Sequence, residues 1–292
     1  MERTYEGAKE VLDVMMSRKS VRNFSDKPIP DEVLHHLLEL GINAASGGNL
    51  QPFSIIVVKE QERKDELCRI SWGQPFIAKA AVDLVFLVDW SKYQRYAGMT
   101  DAPFVANNIF SEFIVAIEDM AMAAQTIEIA ANMCGIGACF VASTIDANED
   151  ARKLLHNPKY SYPILTMSLG YPAAETAARR KHMCFDGMVF EETYPEFTDE
   201  DIKRIYEDKF EGLGYKLPSD PERAAKKLSQ LEAALLTCYS KERTEEILNS
   251  VREAGRMNEP QRCFGLFYNA DNMQKLSKIL LDDMREMGIE MK

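Results

Sequence analysis

The stretch from residue 112 to residue 134 constrains this chain more than any other. It reads as the longest helical run of the first half, with Phe113, Ile117, Met120, Ala121, Ala124 and Ile127 on one face. Ala116, Ala123, Ala130 and Ala131 spread small side chains around the rest. A long helix that is apolar nearly all round cannot lie on a wet surface. It belongs in a core or in a subunit interface.

Four short apolar runs can cover such a helix. They are 54–58, 83–88, 138–143 and 164–169. Each is too short for a helix and too apolar for an exposed strand, so each is expected as a buried strand. Helical patterns lie between and before them. Residues 7–17 carry Val11, Leu12, Val14 and Met15 on a stripe. A second helix is expected from Asp31, taken as its N-cap, through Leu34, Leu37 and Ile42. A third covers 147–155. Gly135 fits the left-handed position that ends the long helix.

After about residue 195 the chain becomes charged and helical. Helices are expected at 222–237, 241–254 and 271–287, and a short strand at 262–268. Phe264, Phe267 and Tyr268 are expected to pack in a core. The organisation read from this change is a first domain at 1–194 and a helical extension at 195–292.

The net charge of -11 excludes whole function classes. Binding nucleic acid, or docking on an anionic membrane, needs a basic face. Neither partner is expected. No stretch approaches the ~20 apolar residues of a membrane span. The segment Met1–Glu6 lacks an apolar signal core, so a cytoplasmic location is expected. Six cysteines without CxxC spacing read as free thiols, and four histidines form no ligand pattern, so no metal is expected.

The acidity is uneven. Residues 201–292 hold 16 basic and 17 acidic residues, which leaves a net of -10 on the first 200. The basic cluster Arg18-Lys19-Ser20-Val21-Arg22 inside that acidic part needs a reason. On an extended segment Arg18, Ser20 and Arg22 would face one way and form an anion cup, because guanidinium forks supply paired N–H donors. The other reading is a solvated basic turn after a helix. The loop Ala45-Ser46-Gly47-Gly48-Asn49-Leu50-Gln51-Pro52 offers two glycines for close backbone approach, with Ser46, Asn49 and Gln51 as hydrogen-bonding groups; it could equally be a plain connector. Gly135-Ile136-Gly137 follows a helix and precedes a strand. That is the reverse of a dinucleotide fingerprint.

Taken in order, these motifs resemble the nitroreductase family of FMN-dependent oxidoreductases. The family pattern R-x-S-x-R corresponds to Arg18, Ser20 and Arg22, and its S-x-x-N-x-Q-P loop to Ser46 through Pro52. Its G-[LIV]-G corresponds to Gly135–Gly137. A following G-Y-P and basic tract correspond to Gly170-Tyr171-Pro172 and Arg179-Arg180-Lys181. The resemblance implies an α+β fold with a central mixed or antiparallel sheet flanked by helices, and a homodimer with FMN at the subunit interface.

Residue by residue, it implies that Arg18, Lys19, Ser20 and Arg22 hold the FMN phosphate and ribityl chain. Ala45, Ser46, Gly47, Asn49 and Gln51 lie on the loop that one subunit lays against the other's flavin. Gln74 reads the pyrimidine edge. Ala142, Ser143 and Thr144 border the flavin N5 edge, with Ser143 or Thr144 as a hydroxyl donor to N5. Arg179 or Arg180 supplies a second phosphate-binding base. Catalysis would rest on the flavin rather than on a protein acid or base. The implied activity is hydride transfer from NAD(P)H to a nitroaromatic, a quinone or a similar small-molecule acceptor by a ping-pong scheme. The hydroxyls at 143 and 144 also look like the N5 edge of flavin dehalogenases. A reductive dehalogenase-like activity, or a non-catalytic flavin sensor or carrier, are the alternatives.

Overall fold

The computed structural model describes residues 4–174 and 181–291, with the side chains of Asn148 and Asp271 left outside the description. The chain divides into two compact units, residues 1–179 with 279–292 and residues 180–278.

The first unit runs α1 (Tyr5–Ser17), α2 (Asp31–Ile42), β1 (Phe53–Val58), α3 (Gln61–Ile70), α4 (Pro75–Lys79), β2 (Val82–Asp89), α5 (Ser91–Met99), α6 (Phe110–Met133), β3 (Gly137–Val141), α7 (Asn148–Leu155) and β4 (Ser161–Gly170). The four strands form one sheet in the order β1-β2-β4-β3, antiparallel throughout. Every residue of β2 is buried, as a central strand covered on both faces requires.

Alternation along β2 sorts the core. Leu84 and Phe86 point to the face covered by α2 and α6, where they meet Leu34, Leu37, Met120, Ala123, Ala124 and Ile127. Val85 and Leu87 point to the other face, among Leu67, Ile77, Val141, Ala151 and Leu155. The small residues of α6 are buried as its composition requires. Ala121 and Ala130 are the exceptions: Ala121 is exposed, with Ala123 in the core position, and Ala130 is half-buried.

Asp31 is the first residue of α2 and not its cap. Pro30 holds the cap position, with no side-chain bond to the helix, and the Asp31 carboxylate pairs with Lys59 instead.

The second unit holds α8 (Asp199–Lys209), β5 (Tyr215–Lys216), α9 (Pro221–Leu235), α10 (Lys241–Ala254), β6 (Arg256–Met257), α11 (Glu259–Arg262), a π-turn at Cys263–Phe267 and the start of α12 (Ala270–Glu286). Asp220 and Ser240 cap α9 and α10 by accepting from the Arg223 and Arg243 amides. Their apolar faces meet around Leu231, Leu248, Val251 and Met257.

The strand expected at 262–268 is a helical turn. Asn258 and Gln261 form a reciprocal capping box, and Pro260 sits in the first turn, so the local signals start a helix there. Phe264, Phe267 and Tyr268 are exposed rather than packed in a core.

The division at 179/180 lies upstream of the boundary expected at 194/195, and residues from 279 onward return to the first unit. The cause of the return is burial. Met284, Met287 and Ile289 pack with Trp90 and Tyr162, and the Tyr160 amide donates to the Met287 carbonyl at 2.7 Å. Among the described residues no helix is long and apolar enough to cross a membrane.

Candidate functional site

The basic cluster lies on an extended segment at the open edge of β3. Helix α1 ends at Ser17, and Arg18 leaves it with extended backbone (φ -50°, ψ 132°). Ser20 bridges Ala138, and the Val21 amide donates to the Ala138 carbonyl at 2.9 Å. Val21 is buried while Ser20 and Arg22 are exposed, which is the alternation an extended segment imposes.

Arg18, Ser20 and Arg22 all act electrostatically on Cys139 of β3. Burial pushes that thiol up, and the charges of Arg22 and Arg18 and a hydrogen bond from Ser20 oppose the rise. Arg22 also lies over the Phe76 ring at 5.8 Å. Lys19 is half-buried between them in sequence.

One contributor was not anticipated. Glu128 of α6, 1% exposed in its side chain, pairs with Arg18 Nη1 at 3.0 Å. Gln125 Nε2 donates to its other carboxylate oxygen at 2.7 Å. The pair fixes one edge of the Arg18 fork. A carboxylate on the helix stripe that also holds Ala124, Ile127 and Ala131 was the signal that could have found it.

The loop at 44–52 is anchored elsewhere on α6. The Gly47 amide donates to Asp119 Oδ1 at 2.8 Å. A side chain at Gly47 would place its Cβ 2.8 Å from Val115 Cγ1, so this glycine answers to close packing on α6. Gly48, Asn49 and Gln51 have left-handed backbone, with φ of 55°, 58° and 51°. Gln51 is held there by its own amide, which donates from Nε2 to the Ile42 carbonyl at 2.7 Å. One of the two N–H donors of that amide is therefore engaged inside the loop. Ala45 and Asn49 are exposed and Ser46 is half-buried.

These two groups do not meet within one chain. Asp119 and Glu128 are separated by about 14 Å along α6 and by half a turn around it, given a 1.5 Å rise and 100° per residue. The loop and the basic segment thus hold opposite sides of the same helix.

A third group forms at the end of β3. Gln74 Nε2 donates to Ser143 Oγ at 3.1 Å and to the Ser71 carbonyl at 3.2 Å. Ser143 Oγ donates to the same carbonyl at 3.3 Å, and Cys68 Sγ donates to the Gln74 carbonyl at 3.2 Å. Ser71 is fully buried, and its own Oγ has no protein partner. Gln74 lies two residues from Phe76, the ring under Arg22, so this group adjoins the basic segment. Ala142 is exposed beside it.

Thr144 corrects an expectation. It is fully buried, and its hydroxyl donates to the Val141 carbonyl at 3.1 Å and pairs with Thr166 Oγ1 at 2.8 Å. It serves the sheet and cannot donate to a ligand. Arg179 and Arg180 lie outside the described residues. Lys181, the last member of that tract, contacts Asp208 at 2.6 Å and Glu211 at 3.6 Å.

The nitroreductase family model matches residues 15–171, which contain all three groups and stop short of the basic tract. The chain belongs to the nitroreductase family. Among relatives of this nitroreductase-family chain, an FMN reductase [NAD(P)H] from Bacillus subtilis is 27% identical over 186 residues, 63% of this chain and 74% of its own. A crystal structure from Bacteroides fragilis superimposes with a TM-score of 0.77 at 26% identity, covering 95% of this chain and 99% of that one. The NADPH:FMN oxidoreductase of Vibrio harveyi, solved in complex with NAD+, gives a TM-score of 0.62 at 25% identity over 84% of this chain and 97% of its own.

Proposed function

We propose that this nitroreductase-family protein is an FMN-dependent oxidoreductase that takes a hydride from NAD(P)H and reduces a nitroaromatic, a quinone or a similar acceptor by a ping-pong scheme. The observation that carries the reading is the placement of Arg18, Ser20 and Arg22 along the edge of β3, where all three act on Cys139, with Arg22 over Phe76 near the Gln74–Ser143 pair. Relatives of comparable architecture include proteins named for FMN and NAD(P)H.

The residues fit the cofactor on their own chemistry. Two guanidinium groups and a hydroxyl suit a phosphate dianion. Gln74 has its amide nitrogen engaged, which leaves its side-chain oxygen as an acceptor for a ring N3–H. The residues that anchor the two elements bordering the ring, Ser71 for Gln74 and Ser143 and Asp119 for the loop, each carry a buried polar atom without a protein partner, Ser71 Oγ and Asp119 Oδ2. When bound, the flavin supplies two-electron redox chemistry, accepting hydride from the nicotinamide and passing electrons to the acceptor.

The protein residues then have three tasks. Arg18, Ser20 and Arg22, with Lys19, hold the phosphate and ribityl tail, and Glu128 keeps the Arg18 fork in place. Gln74, Ala142 and Ser143 border the ring, with Ser143 oriented by Gln74 and Ser71. The loop bearing Ala45, Ser46, Gly47, Asn49 and Gln51 reaches the ring from a second copy of the chain, because within one chain it sits on the far side of α6. Arg179 or Arg180 adds a further phosphate base. No protein acid or base is required.

The test separates the half-reactions. Anaerobic NAD(P)H should bleach the protein-bound flavin absorbance, and added acceptor should restore it after the oxidised nicotinamide has been removed. Bleaching that returns only while both substrates are present would rule out the ping-pong scheme. No bleaching by either nicotinamide would rule out the activity.

A further inference from the structure

We propose that Gly137 and Gly170 are positioning residues for the phosphate-binding segment: together they form a side-chain-free seat on the sheet that sets where Ser20 and Arg22 stand. The inference rests on the FMN reading above and names residues to which that reading gives no role.

The two glycines are neighbours across the sheet, since Gly137 of β3 pairs in register with Gly170 of β4. Each lies under one buried residue of the segment. A Cβ at Gly137 would stand 2.5 Å from Val21 Cγ2 and 2.7 Å from Val21 Cβ. A Cβ at Gly170 would stand 2.9 Å from Phe24 Cδ1 and 3.2 Å from Phe24 Cβ. Gly137 has no left-handed backbone that would demand glycine, and neither has Gly170. Close approach is what these positions need.

The geometry converts that approach into ligand placement. The Val21 Cβ is fixed to the backbone, so no rotamer change relieves a 2.7 Å contact with it. The backbone at Val21 would have to lift. Val21 lies between Ser20 and Arg22, and its amide is tied to the Ala138 carbonyl, next to Gly137. Lifting Val21 therefore moves both donors together.

Further along, the Ala173 amide donates to the Asn23 carbonyl at 3.0 Å and the Ser25 amide donates to the Tyr171 carbonyl at 2.8 Å, so the segment is pinned on both sides of Phe24 as well. Hydrogen bonds to phosphate tolerate only a few tenths of an ångström in donor position. A seat one methyl group too high should weaken the phosphate contacts and leave the ring contacts at Gln74 and Ser143 in place.

The experiment compares two ligands that differ only in the phosphate. Apo-protein is titrated with FMN and with riboflavin, following quenching of free-flavin fluorescence. Wild type should prefer FMN. In Gly137→Ala the Kd for FMN should rise about tenfold, the equivalent of 1.4 kcal/mol, while that for riboflavin stays within about twofold.

Gly170→Ala should show a smaller shift in the same direction, because the Phe24 ring can adjust, and it carries the test if Gly137→Ala does not fold. Equal weakening of both ligands, or no change in either, would overturn the proposal, since a structural defect has no reason to distinguish them. A wild type that binds FMN no better than riboflavin would overturn the phosphate reading first, and this inference with it.

Discussion

Asp83 is the second residue of β2 and has no solvent contact. Ser168 Oγ donates to its Oδ1, while its Oδ2 has no protein partner. Lys64, whose Nζ donates to the Ala80 carbonyl at 2.7 Å, is the cation that acts on it. Burial pushes this carboxyl up to about 7, against the opposing effects of Ser168 and Lys64. The folded chain then holds a proton that the unfolded chain releases above its ordinary value of 3.8. The resulting stability is complete below that value and is lost as pH rises through about 7. Denaturant midpoints of the wild type should therefore fall between about pH 5 and about pH 8, and Asp83→Asn should flatten that fall. A variant that kept the wild-type slope would show that Asp83 does not titrate there.

The disposition of side chains was legible in the sequence where local backbone decides it. The alternation of Arg18, Ser20 and Arg22 needs only an extended segment, and the structure has one. Thr144 and Gln51 were not legible. Their hydroxyl and amide are captured by Thr166 and by the Ile42 carbonyl, and no local pattern marks those pairings.

Among the elements, the joint between α7, β4 and α12 within the first unit is held by one buried carboxylate. Asp283 accepts from Tyr162 Oη at 2.8 Å and pairs with Arg152 Nη2 at 2.6 Å. Burial and the Asp283 carboxylate both push the Tyr162 hydroxyl well above its usual range. Asp283→Ala would remove the carboxylate that Tyr162 Oη and Arg152 Nη2 share, leaving the guanidinium its contacts with Met287 Sδ and Glu286. It should cost about 3 kcal/mol in urea unfolding, the lower end for a broken buried pair because Arg152 keeps some solvent contact. Asp283→Asn, which retains hydrogen bonding, should lose less. Equal losses for the two variants would mean that packing, and not the polar network, matters here.

The four strands were legible because a run such as 83–88 is too short and too apolar to be anything else. The turn at 259–267 was misread because Phe264, Leu266 and Phe267 look strand-like, whereas the capping box at Asn258 and Gln261 governs the backbone. The glycines at 137 and 170 were visible as motif punctuation. Their contact with Val21 and Phe24 was not, because it joins parts of the chain more than a hundred residues apart.

For the whole molecule, the opposite anchoring of the loop and the basic segment on α6 predicts a shared site between two copies. The exposed Phe110, Ile114, Met122 and Met133 on α6 give such a contact an apolar surface. Hydrodynamic mass should be twice 33.1 kDa. Chains carrying Arg22→Ala and chains carrying Ser46→Trp should each lose activity alone. Mixed by unfolding and refolding together, they should recover about a quarter of wild-type activity, because half of the dimers are mixed and each of those has one undamaged site of two. No recovery on mixing would place both groups in the same subunit's site.

The most direct measurement is the flavin content of the purified protein after saturation with FMN and gel filtration. A flavin-binding dimer of this family should retain one FMN per chain, released by Arg18→Ala/Arg22→Ala. Colourless protein that takes up no FMN would contradict the assignment of the segment at 18–22 as its phosphate site.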